Sequence, residues 1–329
     1  MAPLAGDASN RRYFRLELAG GPPHSLVLMQ LASPEAFKQS EEAVSGGAPP
    51  ITELPFVNIL THLAKADIPV PSLYYYDTEA GLLYLEDLGD LTLAQVCLGG
   101  TGPETPELYR QAIEILVRMQ VEASFPANPD CLAFTRAFDV PLLMWEFDHF
   151  IEYGIEKRAG TTLPELDRET IRAEMQIIAE LLAAQPRVFT HRDYHSRNLM
   201  VQNERLRVLD FQDALMGPAT YDLASLLRDS YLSLDEDLID ELVLRYLEGR
   251  AHAGAPLDRT TFRRVFDLTG LQRNLKAAGR FVYILIEKHN DRYMQYVPRT
   301  LGYVKRTLEK YRSLASLHTA LAKHVPELQ

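Results

Sequence analysis

The stretch from His191 to Asp213, HRDYHSRNLMVQNERLRVLDFQD, constrains this chain more than any other. It holds an H-R-D-x-x-x-x-N segment, a short apolar run, and then an aspartate within Leu209-Asp210-Phe211-Gln212-Asp213. Phosphoryl transfer needs a carboxylate that orients or deprotonates an acceptor hydroxyl. It also needs hard oxygen ligands that hold Mg²⁺ against nucleotide phosphates. Asp193 suits the first task; Asn198 and Asp210 suit the second. A chance grouping of polar residues in a loop is the plainer alternative. The spacing weighs against it, because Asp210 ends the apolar run Val208-Leu209 and so emerges at a strand terminus beside the loop.

Around this stretch the hydrophobic period changes character along the chain. Residues 11–31 alternate about a Gly20-Gly21-Pro22-Pro23 turn and predict a β-hairpin. Just before it, Gly6-Asp7-Ala8-Ser9-Asn10-Arg11-Arg12 offers small residues and donors to phosphates, although a plain surface turn fits as well. Residues 32–52, rich in Pro, Gly, Ser and Glu, predict a loop or lid. Phe56, Ile59, Leu60 and Leu63 fall on one face of a helix predicted over 53–66. Strands are predicted at 72–77 and 81–87. From Leu88 onward helices dominate, at 105–122, 137–158, 164–184, 221–232, 236–250, 259–288 and 299–323. Short strands at 187–190, 199–203 and 206–210 bracket the opening motif. The pattern predicts an α+β architecture with two parts, a strand-rich 1–87 and a mainly helical 88–329.

Composition narrows the function classes. A formal net charge of −11 argues against a nucleic-acid or anionic-membrane binder, which would need a basic surface. The two cysteines, Cys97 and Cys131, form no C-x-x-C pair and accompany no His/Cys cluster of zinc type. Sparse cysteine, no leader-like N-terminal segment and no apolar run of membrane length make the cytoplasm the expected location. No obligate protein partner is evident from the sequence.

Phe189-Thr190-His191-Arg192-Asp193-Tyr194-His195-Ser196-Arg197-Asn198-Leu199 resembles the catalytic loop of the aminoglycoside phosphotransferase family, whose fold is protein-kinase-like and two-lobed. Val208-Leu209-Asp210-Phe211-Gln212-Asp213, Gly217-Pro218 and Tyr221-Asp222-Leu223-Ala224 resemble its metal-binding segment and following helix. Asp7 to Arg15, Phe211-Gln212-Asp213-Ala214 and Phe266 to Lys276 resemble one branch, the anomeric kinases of the cell-wall amino sugars N-acetylmuramate and N-acetylglucosamine in peptidoglycan recycling. The resemblance implies a Mg²⁺-dependent enzyme that uses ATP and a small sugar, with Asp193 as catalytic base and Asn198 and Asp210 on the metal. It implies that Ser9, Asn10 and Arg12 cover the phosphates and that the backbone of Glu86 and Leu88 pairs with adenine. It makes Asp222 a structural residue that caps its helix and braces the catalytic loop.

Two departures stand out. Met29 occupies the strand position where a protein-kinase-like fold places lysine, and Asn58 stands where its glutamate partner is expected. Positive charge for the phosphates must then come from Arg11, Arg12 or Lys38, with Arg12 favoured. The chain also starts almost at the phosphate loop, where relatives carry a further helix, so its N-terminal packing is expected to differ. On the acceptor side, Arg273, Lys276 and Arg280 recur at helical spacing and so share one face. That face suits the lactyl carboxylate of N-acetylmuramate, although a solvated helix face explains it equally well. Gln212 and Asp213 are candidates for sugar hydroxyls. Trp145 with Glu146 is a candidate stacking platform, although a lone tryptophan is more often core. Two other functions stay open: a kinase for another hydroxyl acceptor (aminoglycoside, choline-like alcohol or thiosugar), and a non-catalytic nucleotide-binding protein.

Overall fold

The computed structural model describes residues 2–4, 11–33, 53–98 and 104–329. The expectations for Ser9, Asn10, Lys38 and most of the 32–52 loop fall outside these residues. Five strands, β1 (Ala2–Leu4), β2 (Arg12–Glu17), β3 (Ser25–Gln30), β4 (Leu73–Asp77) and β5 (Leu82–Glu86), form one antiparallel sheet in the order β1-β2-β3-β5-β4. The expected hairpin is the β2–β3 pair, in register from Arg12↔Gln30 to Glu17↔Ser25. Because side chains alternate across a sheet, Tyr13, Arg15, Val27, Met29, Leu83 and Leu85 share one face. Helix α1 (Pro55–Lys65) buries Phe56, Ile59, Leu60 and Leu63, as its period predicts. Its Phe56 ring lies 5.0 Å from that of Phe211, which ties α1 to the His191–Asp213 stretch.

Beyond Glu86 the chain is helical: α2 (Leu93–Leu98), α3 (Glu104–Glu122), α4 (Val140–His149), α5 (Glu165–Ala183), α6 (Thr220–Leu227), α7 (Glu236–His252), α8 (Arg259–Lys288), α9 (Val297–Lys310) and α10 (Ala315–Ala322). The 137–158 helix is α4 continued by a π-helical segment, Phe150–Lys157. The 299–323 helix is broken at Tyr311, which is extended (φ −112°, ψ 110°) and donates its hydroxyl to Asp267 at 2.7 Å. Four short strands, β6 (Arg187–Thr190), β7 (Leu199–Gln202), β8 (Arg205–Val208) and β9 (Leu215–Pro218), pair as β6–β9 and β7–β8. Strand β9 was invisible in the sequence because Gly217-Pro218 reads as a turn. Its glycine is required by space: a Cβ there would lie 2.7 Å from the Phe138 ring and 3.0 Å from Thr190 Oγ1.

Helix α8 has 30 residues, about 45 Å at 1.5 Å per residue, and buries Phe266, Leu271, Leu275 and Ala278 along its length. It packs against α6, α9 and the π segment, with Gly279 so close to Phe150 that a Cβ would meet its Cα at 2.8 Å. This long strut carries the polar side chains that reach the reaction cleft.

Candidate active site

Strand β6 delivers His191 to a loop that is tied down at both ends. Asp222 of α6 accepts the backbone N–H of His191 at 2.7 Å and of Arg192 at 3.0 Å. Burial drives the Asp222 carboxyl up to about 7, and those two donors oppose the rise. The bracing role follows the expectation, whereas the capping role does not. The N-cap position is Ala219, and Asp222 is the third residue of α6, aimed back at the loop. At the other end, Asp229 accepts the Ser196 N–H at 3.0 Å and its hydroxyl at 2.5 Å. Held this way, Arg192 adopts φ +80°, a left-handed conformation costly for a long side chain and kept only where its surroundings over-determine it.

His191 is buried, and burial lowers it to about 4, so its ring is neutral at pH 7. Its two contacts require the tautomer with the proton on Nε2. That nitrogen donates to the Leu209 carbonyl at 2.8 Å, and Nδ1 accepts the Asp193 N–H at 3.3 Å. The ring therefore bridges Asp193 to the residue before Asp210. Asn198 makes a second bridge. Its Nδ2 donates to the Asp193 carbonyl at 2.9 Å and to Asp210 Oδ2 at 3.3 Å. Both bonds use the amide nitrogen and leave the side-chain oxygen Oδ1 of Asn198 out of the bridge. Asp210 also has a left-handed φ, +63°. Burial lifts its carboxyl to about 6; the bond from Gln212 and the charge of Arg11 oppose the rise, while Asp193 and Asp213 add to it.

Behind Asp193 lies a charged cluster that burial makes consequential. Glu146 of α4 is fully buried and accepts from Arg192 Nη2 at 3.2 Å and from Gln272 Nε2 at 2.8 Å. Lys276 Nζ lies 3.8 Å from Glu146 and 3.9 Å from Asp193 Oδ1. Arg273 is buried, and its Nε and Nη1 have no hydrogen-bond partner among the described residues. Burial disfavours ionised Asp193, but Lys276 first, then His195, Arg273 and Arg192, outweigh it and hold this carboxyl well below the usual range.

The connection between sheet and helices is fixed by ion pairs. Arg207 of β8 binds the Glu86 carboxylate at 2.6 and 2.8 Å and the Val70 carbonyl at 2.8 Å. Arg15 of β2 clasps Asp87 at 2.6 and 2.9 Å and reaches Asp90 at 2.9 Å. Beside the Arg15–Asp87 pair a cavity of about 490 Å³ is lined by Arg15, Ser25, Asp87 to Leu91 and Val201 to Asn203. Leu88 is buried against it, and the Glu86 N–H already donates to Ser72 at 2.9 Å.

Asp193, Asn198 and Asp210 therefore come together. Several other expectations change. Met29 is completely buried on the inner face of the sheet, and Arg12 is exposed on the opposite face, paired with Gln30. Arg11, not Arg12, is the arginine whose charge reaches Asp210. Gln212 commits its amide nitrogen to Asp210 at 2.8 Å and to Asp213 at 3.2 Å, while its buried Oε1 has no hydrogen-bond partner among the described residues. Arg273 and Lys276 do not form a solvated face; α8 turns both inward, while Arg280 lies over the Tyr283 ring at 4.6 Å. Trp145 is neither core nor joined to Glu146. It is 41% exposed and stacks on His149 at 5.5 Å, because adjacent helical residues point about 100° apart. Sequence reasoning missed Asp229, Arg207 and the hub role of Glu146, none of which carries a local motif.

Residues 1–257 match the family model described as the Phosphotransferase enzyme family, and this chain belongs to that family. Among curated proteins it is 33% identical over 324 residues to the N-acetylmuramate/N-acetylglucosamine kinase of Neisseria meningitidis serogroup B, covering 98% of this chain and 89% of the relative. It is 35% identical over 328 residues to the Pseudomonas aeruginosa protein of the same name, covering 98% and 88%. Among solved structures, a choline/ethanolamine kinase family protein from Mesorhizobium loti aligns with TM-score 0.59 at 14% identity, covering 98% of this chain and 93% of that one. The ADP-bound aminoglycoside phosphotransferase APH(2'')-Ib aligns with TM-score 0.58 at 14% identity, covering 96% and 93%. The fold is protein-kinase-like, and the chain is a phosphotransferase.

Proposed function

We propose that this enzyme transfers the γ-phosphoryl group of ATP to the anomeric hydroxyl of N-acetylmuramate or N-acetylglucosamine. The observation that carries the chemistry is the double bridge, through His191 and Asn198, that fixes Asp193 beside Asp210. Full-length relatives named for both sugars support the substrate. Asp193 would orient the hydroxyl and take its proton as the oxygen bonds to γ-phosphorus and the bond to the ADP oxygen breaks. Asn198, through its carbonyl oxygen, and Asp210 fit a hard divalent cation and would hold Mg²⁺. Bound there, Mg²⁺ would neutralise charge on the phosphates. Adenine would meet the Glu86 carbonyl, since the Glu86 N–H is engaged, and the Leu88 backbone. Gln212, through its unpartnered Oε1, and Asp213 remain the candidates for sugar hydroxyls. We divide the two lobes after Asp87, at the Arg15-clasped turn.

Arg273, buried with two unpartnered N–H groups, is our candidate for the acid group of an acidic sugar. The same charge would repel an aminoglycoside or choline-like acceptor, and the assembled Asp193–Asn198–Asp210 set speaks against a merely nucleotide-binding role. A Mg-ATP turnover screen tests the reading, with N-acetylmuramate, N-acetylglucosamine, their C1-blocked methyl glycosides and an aminoglycoside as acceptors. Turnover is expected on the free sugars only. Equal activity on a blocked glycoside would falsify anomeric transfer.

A further inference from the structure

We infer that Lys276 is a catalytic residue: its ammonium contacts the transferring phosphoryl group from the helical side of the cleft and replaces the missing strand lysine. The inference rests on the phosphotransfer reading above and revises the expectation that Lys276 serves as a substrate-carboxylate anchor.

Elimination comes first. The strand position that supplies a cation in protein-kinase-like folds is Met29, completely buried. The catalytic loop's own arginines are engaged elsewhere. Arg192 is 2% exposed and paired with Glu146. Arg197 turns away into an aromatic cluster, 3.7 Å over the Tyr231 ring and 2.6 Å from the Tyr296 hydroxyl. Arg11 stands on the Asp210 side. Beside Asp193, the group that orients the acceptor oxygen in this reading, Lys276 Nζ lies 3.9 Å from the carboxylate.

The geometry then favours a phosphoryl contact. Lys276 Nζ sits 3.8 Å from Glu146 and 3.9 Å from Asp193, outside hydrogen-bond range of both. It is attracted by two carboxylates and saturated by neither, so its donors remain available to a third group. Its side chain is 14% exposed and that of Asp193 is 31% exposed, so both open onto the cleft. An acceptor oxygen hydrogen-bonded to Asp193 would bring the γ-phosphoryl oxygens within reach of the same ammonium. A compact point charge on a flexible stem, with three rotatable donors, can follow those oxygens as charge shifts between them. The buried Glu146, itself tied to Arg192 and Gln272, faces the same ammonium at 3.8 Å.

Steady-state kinetics of Lys276→Met and Lys276→Arg on both sugars tests this, because N-acetylglucosamine lacks the lactyl carboxylate. Lys276→Met should lower kcat by about 10²–10³-fold, the usual effect of removing one transition-state donor. The loss should be equal for both sugars, with KM values little changed, and Lys276→Arg should recover part of it. A loss confined to N-acetylmuramate and expressed in KM would make Lys276 a carboxylate anchor and overturn the assignment. Unchanged kcat on both sugars would overturn it as well. Slow hydrolysis of Mg-ATP by water, measured on the same preparations, separates the two readings. If wild type hydrolyses ATP but turns over neither sugar, the sugar reading fails. Lys276 then stands or falls on whether the Met variant lowers that hydrolysis. Thermal melting and nucleotide binding of each variant check the fold; if Lys276→Met does not fold, Lys276→Gln replaces it.

Discussion

The two walls of the cleft are built from opposite materials. On the sheet wall Met29, Leu83 and Leu85 are buried side by side, and the one arginine sharing their face in the register, Arg15, is clasped by Asp87. The helical wall presents Glu146, Gln272, Arg273 and Lys276, all largely withdrawn from water and arranged around Asp193. A fold that places a catalytic lysine on the sheet must also supply a partner that keeps its ammonium charged. Here Met29 takes the place of that lysine, and Asn58 of α1, in the partner's place, is turned to the Asp130 carbonyl and the Leu132 N–H. The helical wall has both cation and counter-charge. Around Asp193 the nearby positive charge includes Lys276 and Arg273 of α8, while Arg15 of the sheet is engaged by Asp87 and Asp90.

The largest expected effect falls on the group both walls serve. Asp193→Ala should lower kcat by about 10²–10⁴-fold while nucleotide affinity, measured by calorimetry, survives. Near-normal turnover in that variant would mean that neither wall is arranged around the chemistry. Next, Met29→Lys tests whether the sheet wall can accept the familiar cation. A charge placed at a fully buried site with no partner should destabilise the protein by about 3 kcal/mol or more in urea denaturation. A stable, more active Met29→Lys variant would break the comparison.

A smaller effect is expected from Asp222→Asn. Asparagine has one acceptor oxygen where aspartate uses two, so it cannot hold both the His191 and Arg192 N–H groups. The loop should shift slightly, and kcat should fall about 10–100-fold with the KM for ATP nearly unchanged. The smallest concerns the far end of α8. Asp258 caps that helix, and its bonds from the Thr260 and Thr261 hydroxyls and the Thr260 N–H hold its carboxyl down at about 2. Its folded value lies below the unfolded one, so its contribution is complete above about pH 4 and disappears as pH falls through about 2. Asp258→Ala should therefore lower the melting temperature slightly at pH 7, with the difference vanishing in acid and kcat unaffected.

The sequence alone determined a good deal. Local period places the β2–β3 hairpin, α1, α8 and the short strands around the motif, because each buries a face that its own spacing defines. Asp193, Asn198 and Asp210 were legible because a turn, an apolar strand and five-residue spacing bring them together without help from distant parts. Helix ends, β9 and the break at Tyr311 were not legible, since each depends on a neighbour such as Phe138, Thr190 or Asp267. The same reason governs the rest of the site. Whether Arg273 and Lys276 face water or Asp193 is not written in their spacing; it follows from the side of α8 that packs against Glu146. Nor does the order Arg11-Arg12 say which arginine reaches Asp210, because that depends on how the chain enters β2, where Arg12 is already paired with Gln30. The stretch from His191 to Asp213 specifies the reaction, while tertiary packing decides which distant cations serve it.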